Sequence, residues 1–212
     1  MVRYHPRWLA ARDIIRSGKL GRVTQIHATY SVMNDNPEDI RFKPELGGGA
    51  LGDVGVYPIT AARFLFEAEP VAATATFEKR SPAEVDVAVA GMLEFPDNRN
   101  LLFSGALLQA WAHFIIVIGS EGWMELPVSI WPSAEQETYI RIRGRDDLFD
   151  AHVETLTFPP TNQYEHEVRT FARVARGEIK QPWPISNAIA SMRILDAIRE
   201  SAASNTKVQI IT

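Results

Sequence analysis

The sequence predicts an α+β fold: one large, open, mostly antiparallel β-sheet with helices packed on one face. Three observations carry that expectation. A helix signal stands near the start and two more near the end, with a long succession of β-prone runs between them. Turn residues separate those runs at short intervals. Nowhere does a strand–GxGxxG–helix unit or a GK[ST] phosphate loop occur. The 212 residues suit a single domain spanning 1–212, and no repeat or low-complexity linker divides them.

The elements follow in order. Pro6 to Ser17 reads as a helix, with proline in its first turn, Trp8, Leu9, Ile14 and Ile15 on helical spacing, and Gly18 and Gly21 beyond its end. Thr24 to Tyr30 alternates and is β-prone. Asn34 to Leu46 is a long loop with two prolines, a length that in compact domains tends to carry function. Ile59 to Phe66 is helical. Strands are expected at Val71–Lys79, Val85–Phe95, Leu101–Gln109, His113–Ile118, Gly122–Leu126, Tyr139–Arg143 and His152–Phe158. Helices close the chain over Gln163–Arg176, stopped by Gly177, and from about Asn187 to Ser204, where Ile189, Met192, Leu195 and Ile198 form an apolar stripe. Val208 to Ile211 reads as a last strand.

Composition narrows the function. A net charge of −4 leaves no electrostatic footprint for nucleic acid or an anionic membrane. Arg141, Arg143 and Arg145 alternate along an expected strand and read as a solvated face. There are no cysteines, which excludes disulfides and thiolate chemistry, and the five histidines lack a metal-ligand spacing, so no metal is assigned. No apolar run approaches a membrane span, and the start lacks a signal peptide's apolar segment, so the expected location is the cytoplasm.

The stretch GGGALGDVGVYPITAARFLF, Gly47 to Phe66, is the most informative. A phosphate loop would follow a hydrophobic strand and end in a lysine. RFKPEL precedes these glycines and ALGD follows them, so that reading fails on both sides. If the backbone is already helical at Asp53, the i,i+4 spacing puts its carboxylate and the Tyr57 phenol on one face. The bland alternatives are an aspartate capping a helix start and a half-buried core tyrosine.

The same run closely resembles the G-G-G-x-L-x-D-x-G-x-[HY] signature of the glucose–fructose oxidoreductase, inositol dehydrogenase and MocA family (Gfo/Idh/MocA). RYHPRWLAARDIIRSGKLGRV is similar to the opening of that family's second domain, and IIVIGSEGWMEL to its strand–G-[ST]-x-G–strand hairpin. NQYEHEVRTFARVARGE and ISNAIASMRILDAIRESAASNTKV resemble its closing helices. The resemblance implies a dihydrodipicolinate-reductase-like α+β domain that in the family follows a Rossmann domain for NAD or NADP. It implies hydride transfer to or from a sugar, cyclitol or related polyol. Asp53 then orients substrate hydroxyls and Tyr57, as in the glucose–fructose and xylose-oxidising branch, transfers the proton. Arg41 and His5 occupy segments that line the family's site, their bland readings being a surface arginine and a helix cap. Gln163 or Tyr164, at a late helix start, is a further substrate contact.

The family's dinucleotide-binding half and its E-K-P lysine have no counterpart in this sequence, which starts where the second domain starts; Met1 reads as an internal methionine of a longer gene. Without the lysine's cation Tyr57 should stay protonated near neutral pH. The expectation is a substrate-binding and oligomerisation domain that binds no cofactor alone and is inactive without a Rossmann partner, fused or in trans. The alternative is a stand-alone, non-catalytic polyol-binding or assembly module. Val85–Leu93 and Phe114–Ile118 carry apolar residues at nearly every position, which suggests that the second sheet face is buried against another copy.

Overall fold

The computed structural model describes residues 1–80 and 84–211. The element order is α1 (Pro6–Arg16), β1 (Val23–Met33), α2 (Val56–Phe66), β2 (Ala72–Lys79), β3 (Asp86–Phe95), β4 (Arg99–Ala106) and β5 (Leu108–Gly119). Then come β6 (Gly122–Pro127), β7 (Thr138–Gly144), β8 (Glu154–Phe158), α3 (Gln163–Ala175), α4 (Ile185–Ser204) and β9 (Val208–Gln209). The strands form one sheet in the order β8-β7-β6-β5-β1-β4-β3-β2-β9, antiparallel throughout except for the parallel β1–β4 pair. No helix among the described residues is long and apolar enough to cross a membrane.

Strand register explains the core. Ala73 pairs with Leu93, Leu93 with Leu101, Leu101 with Ile26, Ile26 with Val117, Val117 with Met124 and Met124 with Ile142. All seven side chains are buried, so this row faces the helices. One residue along, the row Thr74, Met92, Leu102, His27, Ile116, Glu125 and Arg141 faces the other way and is partly or fully exposed. Period-two alternation thus separates a dry face from an open one.

The open face corrects one expectation. Arg143 is buried, because its cross-strand partner is Trp123 and its guanidinium lies 4.3 Å from that ring. Glu125 and Asp150 pair with it, whereas Arg141 and Arg145 of the expected solvated row keep exposed side chains. The β4–β5 boundary also differs from the sequence reading. β4 stops at Ala106 because Leu107 bends away, its N–H donating to Val87 O and its carbonyl accepting from Asn34 N–H. The next strand then starts at Leu108, five residues before His113.

The helix after the glycines begins earlier than its apolar spacing suggests. Leu51–Gly55 forms a π-helical turn that runs directly into α2. Pro58 supplies a reason: it lacks an N–H and crowds the carbonyl four residues back, at Val54, where the backbone has widened. The start of this turn is held from outside its own segment. Asp86, the first residue of β3, accepts the Leu51 N–H at 2.6 Å.

Candidate active site

The glycine triplet makes room for that aspartate. Gly49 has φ +125°, and a Cβ there would collide with the Asp86 carboxylate. A Cβ on Gly48 would meet the Arg41 carbonyl oxygen at 2.5 Å. The glycines therefore fold the 40s loop tightly onto the helix start, whose first free N–H is already held by a carboxylate. A phosphate would meet negative charge there, so this chain's glycine turn does not fit a dinucleotide's pyrophosphate. Asp86 escaped the sequence reading, because a lone aspartate at a strand start carries no motif.

Asp53 sits within the π turn and lines a cleft of about 820 Å³. Arg41 faces it, its Nε donating to the Asp53 carboxylate at 2.7 Å and its Nη1 lying 3.2 Å from Asp39. Arg3, Thr60, Gln181, Asn187, Ser191 and Arg199 also contribute polar groups to the wall, with the backbone of Gly47–Gly49. The pair is partly exposed and its net contribution to stability is small, about 0–1 kcal/mol.

Tyr57 does not line that cleft. Its ring packs edge-on against Tyr30 with centroids 5.4 Å apart, and Tyr30 lies 5.5 Å from the His113 ring. Burial pushes the Tyr57 phenol above its ordinary pKa. The nearby Tyr164, Asp53 and Glu167 add in the same direction and Arg41 opposes them. Burial likewise raises Tyr30 to about 12, with Tyr57 and Asp53 adding to the rise. The carboxylate and the phenol thus share one helix start, the carboxylate toward the cleft and the phenol against a cluster of rings. Both phenols stay protonated near neutral pH.

His5 and Gln163 lie elsewhere. His5 is buried and caps α1, its Nδ1 accepting the Arg7 N–H at 3.1 Å, which is the bland role open to it. Desolvation, with Arg7 and His166 adding, lowers its pKa to about 4. Gln163 is also buried, and its Nε2 donates to Ile130 O. The far atoms, His5 Nε2 and Gln163 Oε1, are buried without a partner among the described residues. Tyr164, next along α3, is 49% exposed and close enough to influence the Tyr57 phenol.

These features define an open-sheet α+β domain, helices on one face, with an acid and a phenol presented from the first turns of one helix. Residues 8–125 match the family model of the GFO/IDH/MocA C-terminal domain, and the chain belongs to that family. It is 31% identical to a D-xylose 1-dehydrogenase (NADP(+)) of Haloferax volcanii over 99% of this chain and 63% of that protein. It is 30% identical to an uncharacterized oxidoreductase of Rhizobium meliloti, over 95% of this chain and 60% of that one. The chain therefore spans about 60% of the length of these curated relatives.

Two solved structures share the fold. The aldose-aldose oxidoreductase of Caulobacter crescentus, complexed with glycerol, superimposes with a TM-score of 0.86 at 23% identity, over 98% of this chain and 62% of that one. The 3-ketoreductase KijD10 of Actinomadura kijaniata, in complex with NADP and TDP-benzene, does so with a TM-score of 0.86 at 24% identity, over 94% and 60%. At such identities the likeness is one of fold.

Proposed function

We propose that this chain is the substrate-binding and oligomerisation half of an NAD(P)-dependent oxidoreductase acting on a sugar, cyclitol or related polyol, and that it is inactive without a dinucleotide-binding partner. The observation that carries this reading is Asp53 on a polar cleft, held by Arg41, with Tyr57 at the start of the same helix and turned to the neighbouring ring cluster. The named activities of the sugar-oxidising and sugar-reducing relatives support it.

When bound, the nicotinamide of a partner domain supplies the hydride; this chain's glycine turn does not fit its phosphates. The chain's own residues handle hydroxyls and protons. The Asp53 carboxylate accepts hydrogen bonds from polyol hydroxyls, and Arg41 fixes its orientation. The Tyr57 Oη–H donates to the oxygen of a carbonyl being reduced. As a base in the oxidising direction it needs a cation, and its surroundings favour the neutral phenol.

Two surfaces support partners. Val168 and Phe171 on α3, with Ile185 and Ile189 on α4, are exposed apolar side chains. A dinucleotide-binding domain docks against this side. On the open sheet face, Met92, Leu102, Phe114 and Ile116 give a second copy an apolar surface for an isologous contact.

NADH fluorescence titration of the isolated chain is expected to stay flat, and saturable binding refutes the division of labour. Joined to a dinucleotide-binding domain, the chain should show sugar-dependent reduction of NAD(P). Tyr57→Phe should then lower kcat by about 100-fold or more with little change in KM. An unchanged rate removes Tyr57 from the mechanism.

A further inference from the structure

Trp111 and Trp131 are 57% and 53% exposed, yet they lie together, ring centroids 6.0 Å apart and planes inclined by 36°. Their supports are buried or half-buried. Backbone N–H groups of Ile130 and Trp131 donate to His113 Nδ1 at 3.2 and 3.3 Å, and Gln163 Nε2 holds Ile130 O. The Trp8 indole donates to Ser129 O, and Arg7 grips the carbonyls of Pro127 and Val128. The segment carrying Trp131 is thus bonded at successive peptide groups. Trp111 stands where the β1–β5 register shifts between Ser31 and Met33, a bulge of the kind that re-aims side chains beside active sites.

The same His113 leads back to the reacting group. Its ring touches Tyr30, which touches Tyr57, in steps of 5.5 and 5.4 Å. Burial, with Arg7 adding, lowers the His113 pKa, consistent with a neutral ring that accepts at Nδ1. The indole pair is therefore tied to the Tyr57 ring cluster through His113, which holds the Trp131 backbone. No lysine or arginine stands within two residues of either tryptophan in QAWAH or SIWPS, and both charged ends of Arg7 are bonded to carbonyls. Both tryptophan stretches are aromatic and carry no lysine or arginine, which suits the apolar face of a neutral sugar ring better than a nucleoside diphosphate.

We propose that Trp111 and Trp131 form an outer subsite that stacks a second, neutral saccharide unit beyond the one presented to Tyr57, so that the preferred ligand is a disaccharide or glycoside. This inference rests on the polyol reading of Asp53 and Tyr57. A platform whose Trp131 backbone is already bonded in place loses less entropy on binding, and its effect is read in ligand length.

Isothermal titration of the 212-residue chain with glucose, xylose, cellobiose, xylobiose and dTDP tests it. One of the disaccharides should bind about tenfold tighter than its monosaccharide, as one stacked ring implies. Trp111→Ala and Trp131→Ala should each remove that advantage while monosaccharide affinity stays the same. Disaccharide binding that depends on the tryptophans but is unchanged in Asp53→Ala supports the subsite and refutes the polyol reading of Asp53. Monosaccharide binding that is lost in Asp53→Ala, with no gain from the second ring, refutes the subsite alone. Binding of neither sugar class overturns the subsite, as does tryptophan-dependent binding of dTDP in place of disaccharide. Light scattering on Trp131→Ala gives the last outcome: a lost oligomer with unchanged saccharide affinity makes the pair a subunit contact and overturns the subsite.

Discussion

Replacing Gly49 by alanine tests how the active-site turn is built. Two costs apply. At φ +125° an L-residue is strained by about 1–3 kcal/mol. The new methyl also displaces the Asp86 carboxylate, which loses its bond to the Leu51 N–H, a charge-assisted bond contributing about 1.5–3 kcal/mol. Gly49→Ala should therefore destabilise the chain by about 3–5 kcal/mol, lowering Tm by about 6–20 °C for a domain of this size. Gly47→Ala provides the control. Gly47 has φ +74° but open space around a Cβ, so only backbone strain applies, about 1–2 kcal/mol. In an Asp86→Ala background there is no carboxylate left to displace, and Gly49→Ala should fall to the strain alone. Urea unfolding of the two single variants and the double variant should give a coupling of about 1.5–3 kcal/mol. Additivity within about 0.5 kcal/mol, or equal costs at positions 47 and 49, would refute the contact.

Two further outcomes are expected. His5 is buried with its pKa lowered from 6.5 to about 4, so the unfolded chain takes up this proton first as pH falls. Stability from this residue is full above pH 6.5 and is lost as pH drops toward about 4, by about 3 kcal/mol in total. Urea midpoints across that range should show the decline, and His5→Asn, which keeps a capping side chain, should flatten it; an identical slope in the variant assigns it to other groups. For the open sheet face, Leu102→Glu or Phe114→Glu should convert an oligomer to monomer in size-exclusion chromatography with light scattering. A wild-type chain that is already monomeric counts against the interface.

Much of the fold was legible because its signals are local. The alternation of Thr24 to Tyr30, the proline and glycines bracketing the first helix, and the buried Leu195 and Ile198 of the last helix's expected stripe each reflect the period of their own backbone. Ile189 and Met192 of that stripe are half exposed. The glycine-rich run pointed to Asp53 and Tyr57, and the resemblance it carried led to the family that residues 8–125 match. The Arg41–Asp53 pair joins two residues that the sequence had singled out separately.

Contacts between distant segments were not legible. The sequence shows why glycine is tolerated at 47–49, but Asp86 meets Leu51 only because β3 lies beside that turn in the folded sheet. Arg143 reads as a solvent-facing residue until β6 brings Trp123 beneath its guanidinium. Trp111 and Trp131 stand in unremarkable stretches and meet only through the β5–β6 pairing and the bonds that His113 makes. Residue periodicity determined which elements form and which face of each is apolar. Strand register across the sheet decided which side chains meet, because it pairs residues by their place in space rather than by their separation along the chain.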